Sequence, residues 1–318
     1  MRSRIAGVGG YLPRRCVTND ELARTVDTSD EWIFSRTGIR QRYLAGADET
    51  CAFMGARAAA AALVDAGVAA GDVDAIILAT ATPDEAFPAT AVQVQARLGV
   101  STGFAFDVSA ACCGFIYALA AADAFIRTGM ARTALVIGSE VYSRILNWQD
   151  RTTCVLFGDG AGAVVLQAGP DDGPGILSTH LHANGAHAGM LYVDGAVGQH
   201  DRSGHLVMKG SEVFRHAVTK LAAAVDEALA ANGLGYADVD WLVPHQANLR
   251  IIDAMGRKLG LPPERVVVTV DRHANTSAAS VPLALAEAVQ DGRIRRGELI
   301  LMEALGGGLT WGSALARF

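Results

Sequence analysis

The sequence predicts an α/β protein built from two pseudo-symmetric halves. Three observations carry this expectation. Residues 62–74 (ALVDAGVAAGDVD) and 228–240 (ALAANGLGYADVD) share the pattern A-L-x3-G-x4-D-V-D at an offset of 166 residues. Each copy follows an Ala-rich stretch with helical spacing and precedes a short apolar run, AIILATATP or WLVPHQAN. Helix, glycine stop and buried strand form a natural α/β connection. A second pair agrees in order: QARLGVSTGFAFDVSAACCGF (95–115) resembles GRKLGLPPERVVVTVDRHANTSAAS (256–280). Leu98-Gly99 matches Leu259-Gly260, with a three-residue insertion before Asp271. Two segments repeating in order indicate an internal duplication.

In chain order, MRSRIAGVGGYLPRRC reads as a strand and turn. Gly9, Gly10 and Pro13 interrupt its apolar run, so it does not fit a secretory leader. The Ala-rich helix stops at Gly67 and the strand of 75–83 follows. The strand ending near Asp107 then enters a helix through DVSAACCGF. FGDGAGAVVL (157–166) superficially matches a dinucleotide fingerprint, but a β-like run follows its glycines where that motif requires a helix. AGPDDGPGI (168–176) is the expected linker, dividing 1–170 from 176–318. In the second half, VPHQANLRI puts His245 at the carboxyl end of a strand, ahead of a helix from near Ala247. An apolar strand running to Asp271 leads into the polar turn DRHANTSAASVP, which offers His273 and Asn275. The chain closes with ALGGGLTWGSALARF, a glycine turn between strands.

Bulk properties exclude several classes. The 318 residues are 51% hydrophobic, enough for a large buried core, and carry a net charge of −6. That balance argues against nucleic acid, and no polybasic tail addresses a membrane. No apolar run approaches the roughly 18 residues of a membrane span. The five cysteines (Cys16, Cys51, Cys112, Cys113, Cys154) are odd in number and contain no C-x-x-C pair, so neither a disulfide framework nor a zinc site is expected. A cytoplasmic, reducing location follows as the expectation.

The adjacent pair Cys112 and Cys113 admits two readings, buried packing or a nucleophile. A cysteine at a helix N-terminus feels the positive end of the helix dipole, which lowers its pKa. Successive helical residues point about 100° apart, so only one thiol can address a given pocket. If the halves are pseudo-symmetric, Cys112 and Asn275 occupy related junctions after Asp107 and Asp271 and can meet at the interface. Taken alone, Asn275 fits a turn or cap and His245 fits a structural histidine.

The ordered motifs AACCGF, PHQAN, ANTSAAS and GGGLTWGSALARF, with SDEWIFSRTGIRQR (29–42), closely resemble the 3-oxoacyl-[acyl-carrier-protein] synthase III family from end to end. These are initiating ketoacyl synthases of the thiolase-like superfamily. The resemblance implies a thiolase-like five-layered α-β-α-β-α duplication. It implies Cys112 as the nucleophile, attacking an acyl-CoA thioester, with acetyl-CoA the expected primer, before malonyl-acyl carrier protein loses CO₂ and condenses with the acyl-cysteine. His245 and Asn275 are the implied donors to the developing enolate, and the Cys112 and Gly307 amides the implied oxyanion hole. Cys113 stands where the family has a small residue.

The resemblance further assigns Trp32 and Arg151 to sandwich adenine, Arg36 to phosphate, and Gly210, Phe214 and Asn248 to pantetheine. Ser211 occupies a position where Asn is common. Phe87 is expected to reach across a homodimer interface into the partner's acyl pocket. Lys209, Arg215, Gln246, Arg250, Arg257 and Lys258 form the expected dock for the acidic carrier protein. No cofactor beyond the coenzyme A thioester substrate, and no metal, is implied. Primer choice is expected to depend on loops around 85–90, 142–156 and 185–210.

Alternatives are a starter-unit synthase of polyketide or quinolone metabolism and a catalytically inactive carrier-binding protein. Thiolases use a second cysteine in their C-terminal half, and none here lies beyond Cys154. Elongating synthases generally use two histidines, against which Asn275 stands.

Overall fold

Each half of the chain supplies its own sheet. The computed structural model describes residues 1–195 and 202–318, so part of the 185–210 loop region lies outside the described residues. Numbering covers the two sheets and their main helices. The first half contains β1 (Arg2–Tyr11), α1 (Asp30–Thr37), α2 (Cys51–Ala66), β2 (Ala75–Ala79), α3 (Thr90–Leu98), β3 (Phe104–Val108), α4 (Gly114–Arg127), β4 (Thr133–Glu140) and β5 (Gly160–Gly169). The second contains β6 (Gly175–Ala183), α5 (Gly210–Ala231), β7 (Trp241–Pro244), α6 (Leu249–Leu259), α7 (Ser280–Gln290), β8 (Leu299–Gly306) and β9 (Thr310–Arg317).

The sheet orders are β1-β5-β4-β2-β3 and β6-β9-β8-β7, the same path through each half. In both sheets the strands nearest the site run parallel (β4, β2 and β3; β8 and β7) and the remainder antiparallel. The repeat read from sequence recurs in the elements. Short 3-10 turns at Ala70–Asp72 and Tyr236–Asp238, and strands starting at Ala75 and Trp241, keep the same offset.

One expected strand is missing from the second half. VVVTV (266–270) contributes a single parallel bridge, Leu242 to Val266. Asp271 therefore lies in a four-residue helix, Val270–His273, whereas Asp107 lies within β3. The cause is Gln246. Its Nε2 donates to Val267 O at 3.0 Å, and its Oε1 accepts from Thr269 N at 2.8 Å and Val270 N at 3.0 Å. A buried carboxamide thus satisfies the backbone groups that a fifth strand would have paired.

Strand alternation generates the layers. In β4, Ala134 and Val136 face one way and Leu135 and Ile137 the other; in β8, Ile300 and Met302 oppose Leu299 and Leu301. The inward sets enclose α4 (Phe115, Leu119, Ala122) and α7 (Val281, Leu285, Ala288) between the sheets. Met54, Ala58 and Val94 of α2 and α3 cover the outer face of the first sheet, and Leu221, Val225, Ile252 and Met255 of α5 and α6 that of the second. Five layers result, α-β-α-β-α. The excursion between β1 and α2 crosses over: Val17, Leu22, Ile33 and Ile39 pack with Leu221 and Leu301 of the second half.

Candidate active site

The turn after β3 holds the first functional side chain. Ala111 takes φ +46°, and the 3-10 turn Ala111–Cys113 runs directly into α4. Cys112 is 3% exposed. Its backbone lies against the end of β8: a Cβ on Gly306 would stand 2.6 Å from Cys112 N and 3.0 Å from Cys113 N. The second half offers the reciprocal seat. The turn Ser277–Ala279 lies on Gly138 of β4, where a Cβ would stand 2.2 Å from Ala278 O. Each half's glycine admits the other half's turn, which is how distant sequence segments reach one cavity.

Asn275 is anchored through its backbone, which accepts from Gly158 N at 3.0 Å and donates to Leu156 O at 2.9 Å. Its Oδ1 accepts from Ser277 N at 2.8 Å, so the amide NH₂ is the end left to donate into the cavity. His245 follows β7 and donates its backbone N–H to Glu303 O at 2.8 Å. Its Nδ1 lies 2.6 Å from Ser280 Oγ, which also accepts from Gln246 N at 3.3 Å. With the Ser280 hydroxyl donating to Nδ1, the proton of a neutral imidazole sits on Nε2. Burial pushes His245 down to about 4, which keeps the ring neutral near pH 7.

Cys112, His245 and Asn275 line one cavity of about 610 Å³. Trp32, Arg36, Gly210, Ser211, Phe214, Asn248 and Arg250 line it too, with apolar walls from Phe157, Leu191, Met208 and Leu305. The helix carrying Trp32 is capped by Ser29, whose Oγ accepts from Trp32 N at 3.1 Å. Asn248 tethers that helix, donating from Nδ2 to Arg36 O at 3.1 Å while capping α6 through Arg250 N at 2.9 Å. The guanidiniums of Arg36 and Arg151 stand 4.5 and 5.2 Å from the Trp32 ring centroid.

Two family models match the chain: "3-Oxoacyl-[acyl-carrier-protein (ACP)] synthase III" over residues 106–185 and its C-terminal counterpart over 229–318. A beta-ketoacyl-[acyl-carrier-protein] synthase III from Acidiphilium cryptum (strain JF-5) is 69% identical over 318 residues, spanning 100% of this chain and 99% of that protein. The chain belongs to the 3-oxoacyl-[acyl-carrier-protein] synthase III family. Among solved structures, the family member from Aquifex aeolicus VF5 superposes with a TM-score of 0.95 at 48% identity, covering 99% of this chain and 100% of that one. The priming beta-ketosynthase of the R1128 polyketide pathway gives 0.93 at 40% identity, covering 99% and 96%. The protein is thus a condensing enzyme of the acyltransferase type, with the thiolase-like fold, that initiates fatty-acid synthesis.

Two residues expected to dock the carrier protein, Gln246 and Lys258, sit differently. Gln246 is fully buried and its carboxamide is engaged by the backbone around Val267, so it cannot touch a carrier protein. Lys258 is tied to Asp226 at 2.9 Å and to the Tyr236 hydroxyl at 2.7 Å, which removes it from a free basic patch. Lys209, Arg215, Arg250 and Arg257 are exposed. His273 faces Glu287 at 3.3 Å and does not line the cavity. Phe87 is 85% exposed and lies outside its own chain's cavity lining, as does Gly307. Cys113 packs between the sheets with the central core. The helix following VPHQAN starts at Leu249, with Asn248 as its cap.

The Cys112 thiol itself departs from the helix-end expectation. Burial pushes it up to about 12, the charge of Glu140 adds to that, and hydrogen bonds with Ser277 and Tyr142 oppose it. Desolvation outweighs the helix end in the unliganded pocket. Ser277, Ser280, Glu140 and Tyr142 were not singled out from the sequence. Only the polar richness of NTSAAS, beside the expected Asn275, pointed toward the two serines.

Proposed function

We propose that Cys112 is acylated by an acyl-CoA primer, acetyl-CoA in the simplest case, and that malonyl-acyl carrier protein then condenses with it to give 3-oxoacyl-carrier, CO₂ and CoA. The observation that carries this reading is the convergence of Cys112, His245 and Asn275 on one apolar cavity whose wall also holds Trp32 and Arg36. In the first step the sulfur attacks the thioester carbon and the oxyanion is held by backbone amides, those of Cys112 and Gly307. In the second, the malonyl carboxylate leaves as CO₂ and its electron pair passes to the α-carbon. Enolate character develops on the thioester oxygen, where the Nε2–H of His245 and the amide of Asn275 donate. The carbanion attacks the acyl carbon, and the Cys112 thiolate departs. Apolar walls exclude the water that would quench the carbanion.

Trp32, Arg36 and Arg151 suit the nucleotide end of coenzyme A, by stacking and charge. Gly210, Ser211, Phe214 and Asn248 suit the pantetheine arm. No cofactor other than that substrate is needed. A homodimer would bring the exposed Phe87 to the partner's pocket, and a cytoplasmic location would supply both thioesters. Arg250 and Arg257, joined by Lys209 and Arg215, form the basic surface for an acidic carrier. The higher identity to the Acidiphilium cryptum relative, 69% against 40% for the polyketide priming enzyme, supports the fatty-acid reading over a starter-unit synthase. The units 1–170 and 176–318 are proposed as the two copies of the duplication.

Incubation with acetyl-CoA followed by peptide mass analysis tests the proposal. An acetyl adduct on Cys112, absent from Cys112→Ala, is expected. An adduct elsewhere, or none, overturns it.

A further inference from the structure

Asn275 is held by contacts from two separate segments. Leu156 O accepts its backbone N–H at 2.9 Å, and Gly158 N donates to its carbonyl at 3.0 Å. From the other side, Ser277 N donates to its side-chain Oδ1 at 2.8 Å. That last contact settles which end of the carboxamide faces the cavity, since Oδ1 can only accept and the NH₂ only donate. It also comes from a backbone that needs support. Ala274 and Ser277, which flank the pair Asn275-Thr276, take φ +58° and +50°. Side-chain-bearing residues keep such angles only where their surroundings enforce them. Were Ser277 to relax to negative φ, its N–H would turn away from Oδ1.

Tyr142 joins both segments. It is buried, and its ring stacks on Phe157, the residue between Leu156 and Gly158, with centroids 4.9 Å apart and planes at 18°. Its hydroxyl accepts from Ser277 Oγ at 3.0 Å, across 135 positions of chain. The tyrosine's own turn is firmly anchored. Thr82 Oγ1 accepts from Val141 N at 2.8 Å, and the buried Asp159 accepts from Ser143 N at 2.8 Å and Ser143 Oγ at 2.5 Å. A fixed side chain of the first half therefore grips the Asn275 loop from both directions.

We propose that Tyr142 is a positioning residue for Asn275, aligning its NH₂ with the enolate oxygen of the malonyl thioester through the Ser277 turn. This rests on the function proposed above, where Asn275 acts in the decarboxylating step. Tyr142 does not line the cavity, so its influence on the malonyl group passes through Asn275. A donor aimed at developing charge is worth most when it cannot rotate, and a carboxamide released from Ser277 loses part of that advantage. The phenol hydroxyl supplies the restraint, while the ring alone would hold only the Phe157 side.

The test follows CO₂ release from malonyl-carrier in a single turnover by enzyme already acetylated on Cys112, so that the reactivity of the thiol does not enter. Tyr142→Phe keeps the stacked ring and removes the hydroxyl. It is expected to slow CO₂ release about tenfold, less than the roughly 100-fold expected of Asn275→Ala, which removes the donor outright. Ser277→Ala deletes the same hydrogen bond from its other end while keeping the amide, and should match Tyr142→Phe; it decides the matter if that variant fails to fold. In an Asn275→Ala background, Tyr142→Phe should change the rate by less than about twofold, because the group it positions is gone. A general disturbance of packing would not vanish in this way. The proposal is overturned if either single variant stays within about twofold of wild type, or if the tenfold loss persists without Asn275. Absence of CO₂ release from the acetylated wild type defeats the function itself, a distinguishable result.

Discussion

Gly306→Ala places a methyl group where the two halves touch. The added Cβ would lie 2.6 Å from Cys112 N, 3.0 Å from Cys113 N and 3.2 Å from Ala110 O, with ordinary contact beginning near 3.4 Å. Every neighbour is backbone, so no side chain can swing aside. The Cys112 turn must therefore retreat by about 0.8 Å from Gly306. A displacement of that order at a reacting atom costs about 100-fold in rate, while the overpacking costs about 1–3 kcal/mol in stability. Acyl-CoA affinity should change less than about threefold, because Trp32 and Arg36 belong to a separate helix. The assay pairs stopped-flow acylation of Cys112 with acyl-CoA binding and thermal unfolding. Gly71→Ala is the control, since a Cβ there meets nothing within 4 Å. Wild-type acylation by Gly306→Ala, with an unshifted unfolding transition, would refute the packing account.

Ser280→Ala removes the group that orients the His245 proton, so decarboxylation should fall about 100-fold while Cys112 acylation persists; equal losses in both steps would contradict this tautomer assignment. Trp32→Ala should raise the KM for acyl-CoA about tenfold with little change in kcat, as measured by steady-state kinetics at saturating carrier. Arg250→Glu should raise the KM for malonyl-carrier and spare acyl transfer from CoA, and an unchanged carrier KM would remove Arg250 from the dock. Burial lowers His245 from its ordinary 6.5 to about 4, so the unfolded chain binds the extra proton between those values. Stability is complete above about 6.5 and is lost as pH falls toward about 4. In urea titrations from about pH 7 to about pH 5, wild type should lose about 2 kcal/mol more than His245→Gln, and parallel slopes would disprove it.

The fold was largely legible because its signals are local. The repeated A-L-x3-G-x4-D-V-D pattern marks a helix end, a 3-10 turn and a strand start in both halves, each set within a dozen residues. The cavity members Cys112, His245 and Asn275 were legible through ordered motifs, and their meeting through the duplication. What escaped depends on contacts between remote segments. Nothing in VVVTV says that Gln246 will occupy its ladder positions, and a glutamine beside a histidine gives no hint of complete burial. Glu140 reads as one acidic residue at a strand end, and only the approach of the second half brings the Ala278 amide to its Oε1. Lys258 looked like part of a basic face until Asp226, 32 positions earlier, supplied its counter-charge.

The sandwiched middle layer has a dynamic consequence. Helices α4 and α7 are enclosed by a sheet on each side, and the nucleophile's turn and the Asn275 turn lead directly into their first residues. Amides in such a layer are expected to be among the last to exchange with solvent deuterium, because both faces of each helix are covered. The spacing of the reacting atoms is therefore set in the part of the molecule that opens last.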